Sequence, residues 1–408
     1  VYSSYETSLY QPVYSIVAKN SNSKEQDRFV SVINDTLEKL VKDGINERTI
    51  EAGINYYEFK YREADYGPYP KGLMYYLTMM DSWLYDETKP FIHIEAGDTF
   101  DELKKNARNG YFEKLIKEYL LDNNHKSIIS LVPEYGLEKE KEQKEADKLA
   151  EYKSTLTNDE LEELVKKTKE LKEYQDTPSS QEDLEKIPML ELSDIKREPA
   201  KDYNDVKSVD GIKIVHHNIF TNKIAYINMS FDTKCVPDEL IPYMGLLGST
   251  LSLMDTKNYT YPELTNEINI NCGGLATGTA LYSDKVDFSK NTIVYEVKSK
   301  ALYEKVPFVL GMMEEIMYNT RFDDYKRLKE IIARIKSRLE ASLMGQGHSI
   351  AMLECCAQFS ESAYYSDILR GYKYYEFIKK LDEEFEQNKT QIVDKLNKLV
   401  GYIFNKDN

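Results

Sequence analysis

KNYTYPELTNEININCGGLATGT, residues 257–279, reads as the join between a helix and a strand. A helix is expected over about 261–270, and Gly273-Gly274 follows it where the chain enters the strand-like run LATGTALYS. Two glycines at that point fit a backbone that needs φ > 0 or a close approach by another segment, in preference to phosphate binding. Working upstream, a helix over about 238–254 is preceded by two strand-like runs, GIKIVHHNIF and KIAYINMSFD, with Thr221-Asn222 as the turn between them. Downstream, TIVYEVKS is a further strand, and several helices run nearly unbroken from Leu302 to Phe404. Strand pair, helices, strand pair, helices is the order of an α+β domain whose antiparallel sheet is covered on one face.

The chain opens in the same manner. Residues 1–20 hold two β-rich runs broken at Gln11-Pro12, and VYSIVAK alternates as a half-buried strand should. A helix after Ser23 places Phe29, Val30, Ile33, Leu37, Leu40 and Val41 on one face and stops at Gly44. A second runs from about Asn46 to Asp65, and a third, GLMYYLTMMDSWL, is apolar on most faces and is expected between packed layers. Two shorter helices near 98–120 lead to SIISLVP, residues 127–133, which reads as a short buried strand ended by proline. This first region has few strands of its own, and a strand-first start without Met suggests a piece of something longer. From Leu137 to Gln175 lies a Lys/Glu-rich helical hairpin of mixed charge, turned at STLTND, where Thr157 and Glu160 form a capping box. The linker that follows carries Pro178, Pro188 and Pro199, which discourage regular structure.

With 408 residues the chain has room for two or three domains, each with a core. Its formal net charge of -16 opposes nucleic-acid and anionic-membrane partners. No run of about 18 apolar residues is present to span a membrane. Cys235, Cys272, Cys355 and Cys356 lack C-x-x-C spacing and read as small buried hydrophobes in a reducing compartment, cytoplasmic or an organelle matrix.

Hydrolytic zinc on a helix needs two histidines four residues apart, with a Glu between them to take a proton from bound water. The five histidines are His93, His125, His216, His217 and His348, and none has such a partner. His216 and His217 would point to opposite faces of a strand and cannot share an ion. His348 follows Gly345 and Gly347 at an expected helix start and reads as punctuation. There is no G-x-S-x-G, Walker loop or dinucleotide fingerprint, and the 33 tyrosines fit core and interface better than a cofactor box.

Several stretches, taken in order and spacing, resemble one family. These are SSYETSLYQPVYSIVAKNSN, EFKYREADYGPYPKGLMYYLTMMDSWLYD, IPMLELSDIKRE, FTNKIAYINMSFD, TKNYTYPELTNEIN with its Gly-Gly, and KSRLEASLMGQGHS. Over its whole length the chain is similar to the middle of the presequence-protease-type branch of the insulinase (pitrilysin-like) zinc metallopeptidases. That resemblance implies two peptidase-like α+β domains of the mitochondrial-processing-peptidase/LuxS-like kind, joined by a helical hairpin. Residues 1–135 would be most of a second domain, 136–176 the hairpin, 177–205 an extended linker, and 206–408 a third domain. The family's H-x-x-E-H domain would precede this segment and a substrate-anchoring fourth domain would follow it, so zinc would belong to the full-length parent. Tyr259, Pro262, Gly273 and Gly274 match the motif that trails the zinc helix in the active domain. Counting back by family spacing sets Leu246 and Thr250 where the two histidines would stand and Ser249 at the catalytic Glu. By this resemblance the segment is noncatalytic and the parent cleaves unstructured peptides in a closed clamshell chamber. The alternative is a complete noncatalytic subunit that partners a zinc-bearing peptidase chain.

Overall fold

A computed structural model describes residues 1–198, 203–287, 290–405 and 408. Pro199 of the linker lies outside the described residues. The chain forms two compact units, one of Val1–Asn20, Val30–Asn124 and Phe220–Asn408, the other of Ser21–Phe29 and His125–Ile219.

The first unit begins with a hairpin of β1 (Tyr2–Glu6) and β2 (Val13–Val17), paired antiparallel with Tyr2 opposite Val17. Helix α1 (Gln26–Asp43) ends at Gly44, whose φ of 81° lies in the left-handed region that glycine enters without strain. Helix α2 (Glu47–Glu63) starts at Asn46, whose side chain accepts from the Arg48 and Thr49 amides, and ends at left-handed Ala64. Then come α3 (Lys71–Trp83), α4 (Gly97–Asn106) and α5 (Tyr111–Ile116). All the helices expected here form, but the burial expected of α3 does not follow. Of its residues only Ser82 is buried, while Leu73, Tyr76 and Leu77 are exposed, because among the described residues no layer covers that face.

The second unit holds the hairpin of α6 (Leu137–Thr155) and α7 (Asn158–Asp176), followed by the short α8 (Gln181–Glu185). Thr157 caps α7 as its sequence predicts: the Glu160 amide donates to Thr157 Oγ1 at 3.3 Å, and the Thr157 amide donates back to Glu160 Oε2 at 2.8 Å. Residues 127–133 are not a buried strand. They are irregular and exposed, with Leu131 94% accessible, since an apolar run becomes a strand only when another strand satisfies its backbone.

Strand pairing also departs from expectation. β4 (Ile212–His217) pairs not with the next strand but with β3 (Asn204–Val209), a polar run in which no strand is expected and which straddles the expected linker boundary at 205/206. Asp210 (φ 50°) and Gly211 (φ 85°) join them in a two-residue turn with both residues left-handed, the twist that antiparallel strands accept most readily.

The remainder of the first unit is a three-stranded antiparallel sheet in the order β5-β7-β6, built from β5 (Ile224–Asp232), β6 (Gly274–Ser283) and β7 (Asn291–Leu302). Between β5 and β6 lie α9 (Ile241–Thr250) and α10 (Tyr261–Asn271). After β7 come α11 (Val306–Asn319), α12 (Tyr325–Gly345), α13 (Gly347–Cys356), α14 (Glu361–Arg370), α15 (Tyr372–Glu383) and α16 (Phe385–Ile403). A single apolar core extends from Val236 to Phe404, and Tyr295, Val297 and Ala301 of β7 enter it from one face of the sheet. Burying side chains of this kind contributes about 1.5–3 kcal/mol each. The alternate residues Glu296, Lys298 and Lys300 lie on the other face, as a period of two requires.

Candidate functional site

The positions singled out in the sequence converge on α9 and the turn into β6. Pro242 opens α9 at its first turn, where the absent amide proton costs no hydrogen bond. Leu246 and Thr250, one helical turn apart, are fully buried, and Ser249 is half-buried. Thr250 Oγ1 donates to the Leu247 carbonyl at 3.0 Å and Ser249 Oγ to the Gly245 carbonyl at 3.3 Å, so both hydroxyls turn back onto their own helix. The helix lies tight against the sheet because Gly248 has no side chain: a Cβ there would sit 3.1 Å from Gly278 Cα, and Thr277 Oγ1 donates to the Gly248 carbonyl at 3.0 Å. These residues do not fit zinc. Leu246 offers no donor atom, the neutral hydroxyls of Ser249 and Thr250 are not ligands of the kind zinc takes, and Leu246 and Thr250 are fully buried. Among the described residues, no three His, Cys, Asp or Glu side chains are grouped so as to hold a metal ion.

The motif after α9 is built by capping. The Thr256 amide donates to the Tyr259 carbonyl at 2.8 Å, and the Tyr259 amide to Thr256 Oγ1 at 3.2 Å, closing a small loop that packs the Tyr259 ring against the core. Thr260 and Glu263 form a reciprocal cap at the start of α10, with Pro262 in its first turn. Glu315 of α11 fixes the loop: its carboxylate accepts from the Asn258 amide at 3.0 Å, Asn258 Nδ2 at 2.8 Å and Asn319 Nδ2 at 2.8 Å. Burial opposes the charge on Glu315, but these bonds and one from Thr256 outweigh it and hold the carboxyl below the usual glutamate range.

Gly273 and Gly274 have distinct reasons to be glycine. Gly274 has φ of 140°, which side chains rarely adopt, and a Cβ on Gly273 would lie 2.0 Å from Cε1 of Phe59 on α2. The close approach expected of this pair is therefore made by an aromatic ring from residues 47–63.

Sequence reasoning missed the polar sheet face. Glu296 is 4% exposed yet accepts from Asn228 Nδ2 and Tyr282 OH, both at 2.8 Å, and pairs with Lys298. Burial pushes its carboxyl up, and these three partners more than reverse that, leaving it below the ordinary range. Cross-strand register brings the cluster together, with Asn228 opposite Lys298 and Ser230 opposite Glu296. The signal was available in the alternation of TIVYEVKSK, residues 292–300, whose even positions carry the charges.

The remaining candidates stand apart. His216 and His217 are adjacent in β4, and His348 lies in the first turn of α13. The cysteines are not uniformly buried as expected: Cys272 is, whereas Cys235 and Cys355 are exposed and Cys356 is intermediate. Cys235 lies in the polar loop between β5 and α9, and Cys355 lies on α13, none of whose residues is buried. Burial pushes the Cys272 thiol up to about 11, against smaller opposing effects of Ser299 and Lys305. No helix among the described residues is long and apolar enough to cross a membrane.

Known proteins are similar to the chain over nearly its whole length. The chain is 39% identical over 99% of its length to Protein HypA of Clostridium perfringens. It is 30% identical over 93% of its length to presequence protease 1, chloroplastic/mitochondrial, of Arabidopsis thaliana, and 25% identical over 97% to the mitochondrial presequence protease of Yarrowia lipolytica. The chain spans only 41%, 36% and 39% of the length of these three relatives. Residues 131–381, which run from the helical hairpin through the sheet to α15, match the family model for the region associated with peptidases of family M16, subfamily C. The chain belongs to this peptidase-associated family of M16 subfamily C.

Proposed function

We propose that this chain is the noncatalytic central part of a zinc metalloendopeptidase that degrades unstructured peptides inside a closing chamber. The observation that supports the reading is a packed helix, without zinc-ligating side chains at the positions the family resemblance aligns with a zinc motif, beside a sheet with a fixed polar face. Leu246, Ser249 and Thr250 are built into a packed helix, while the opposite face of the neighbouring sheet presents a fixed polar surface around Glu296. In this reading residues 1–135 complete the catalytic half, 136–176 form the connector, 177–205 the linker, and 206–408 the wall facing the catalytic site. Zinc, its ligands and the general base belong to a preceding domain of the parent, and substrate anchoring to a following one. Closure around the peptide excludes folded proteins by size and completes the site only when substrate is enclosed. The parent works in a reducing compartment, the cytoplasm or an organelle matrix, and two relatives carry mitochondrial or chloroplastic in their names.

The test is cleavage of an unstructured fluorogenic peptide by the 408-residue chain and by the longer gene product, each with zinc and with a chelator. Turnover is expected only from the longer product and only without chelator. Chelator-sensitive turnover by the purified 408-residue chain would refute the reading.

A further inference from the structure

Helix α2 carries a stripe of contacts to α10, to Gly273 and to the sheet. Arg48, Ala52, Phe59 and Glu63 fall at i, i+4, i+11 and i+15, which is one face of an α-helix. At the N-terminal end Arg48 forms an ion pair with Glu267 of α10, Asn266 Nδ2 donates to Thr49 Oγ1 at 3.2 Å, and Ala52 is buried. At the C-terminal end Phe59 covers Gly273, and Glu63 receives three hydrogen bonds. Lys300 Nζ donates to its two oxygens at 2.7 and 2.6 Å and Tyr226 OH donates at 2.7 Å.

The receiving groups come from one row of the sheet. Tyr226 and Lys300 are directly opposed residues of β5 and β7, so one sheet row presents both donors to a single carboxylate. The Glu63 side chain is 5% exposed and that of Lys300 29%. Desolvation, together with the Glu63 charge, raises the Tyr226 phenol well above the usual tyrosine range. The seam is mixed, with Ala52 and the Phe59 ring between two charged ends, and the continuous apolar core contains no residue of α2. Contacts of this composition behave as reversible ones, and a buried ion pair fixes register more than it adds net stability.

We infer that Glu63, Lys300 and Tyr226 form a reversible latch that docks α2, and with it residues 30–124, onto the 220–408 sheet. Its role as the contact that parts when the chamber opens rests on the function proposed above. The latch itself does not.

The experiment is amide hydrogen exchange on the 408-residue chain, wild type, Glu63→Gln, and the charge swap Glu63→Lys with Lys300→Glu. Glu63→Gln is expected to speed exchange in 47–63 about tenfold or more and to leave the β7 amides of Tyr295 and Val297 unchanged, and the swap to recover most of the protection. Unchanged exchange in 47–63 overturns the latch, and so does equal loss across β7, which would mark a general structural role. In the longer gene product, Glu63→Gln is expected to change kcat for long unstructured peptides several-fold while sparing short ones. Faster exchange in α2 with both turnovers unaltered keeps the latch and overturns its part in chamber opening.

Discussion

Building a metal pair at the aligned positions is the most direct challenge to the degenerate-site reading. Leu246→His and Thr250→His would place two imidazoles one turn apart on α9, where both native side chains are fully buried. Removing the Leu246 side chain forfeits about 1.5–3 kcal/mol of burial. An imidazole without a partner in the same space costs about 1–3 kcal/mol more, and a ring in place of Thr250 overpacks by about 1–3 kcal/mol. The sites are neighbours, so these need not add, but a loss of about 4 kcal/mol is a conservative expectation. That is a large fraction of the roughly 5–15 kcal/mol that keeps a domain folded. In a region of this size it lowers Tm by about 8–16 °C. Calorimetry in the presence of chelator measures the loss, and titration calorimetry measures zinc binding. Ser249→Glu alone, at a half-buried position, serves as the control and is expected to cost far less. A double-histidine variant that melts within a few degrees of wild type and binds one zinc tightly would show that the site is open and adaptable, and the reasoning would fail.

Glu315→Gln leaves the Asn258 and Asn319 donors facing an amide and is expected to cost about 2 kcal/mol in urea unfolding. Because the folded Glu315 carboxyl titrates below its unfolded value, its contribution is present above the unfolded pKa and is lost as pH falls through the folded one. Glu315→Gln should therefore flatten that acid limb, and an unchanged pH dependence would contradict the assignment. Gly273→Ala should destabilise through Phe59, and a double-mutant cycle with Phe59→Ala should show coupling of about 1 kcal/mol or more; simple additivity would mean the ring moves aside freely. Alkylation followed by mass spectrometry should modify Cys235 and Cys355 in the folded chain well before Cys272, whose burial and raised thiol pKa both protect it; equal rates would refute the packing around Cys272.

Local signals in the sequence locate most elements because capping and periodicity are local physics. Thr157 with Glu160, Asn46 before α2, and Gly44 after α1 mark termini that the structure reproduces. The alternation of β7 carries both of its faces, although only the apolar one is evident before its neighbours are known. What is not legible depends on partners distant in sequence. Nothing near Gly273 announces that Phe59 occupies the space above it, and nothing near Glu63 announces Lys300. The Asp210-Gly211 turn is a readable hairpin signal, hidden because NDVKSV is too polar to suggest a strand. For α3 and residues 127–133 the apolar pattern is real, but burial requires a surface to pack on, and composition alone does not supply one.

The confinement of the continuous core to Val236–Phe404 sets how the molecule is dismantled. Residues 1–124 contribute only Ile50, Ala52, Ile54 and Ala64 as buried apolar side chains, so a degradative protease meets little resistance there or in the exposed 127–133 and 181–198 stretches. Cleavage in those stretches would leave a resistant remnant beginning near β5, and the half-life of the intact chain would be governed by its least packed third rather than by its core.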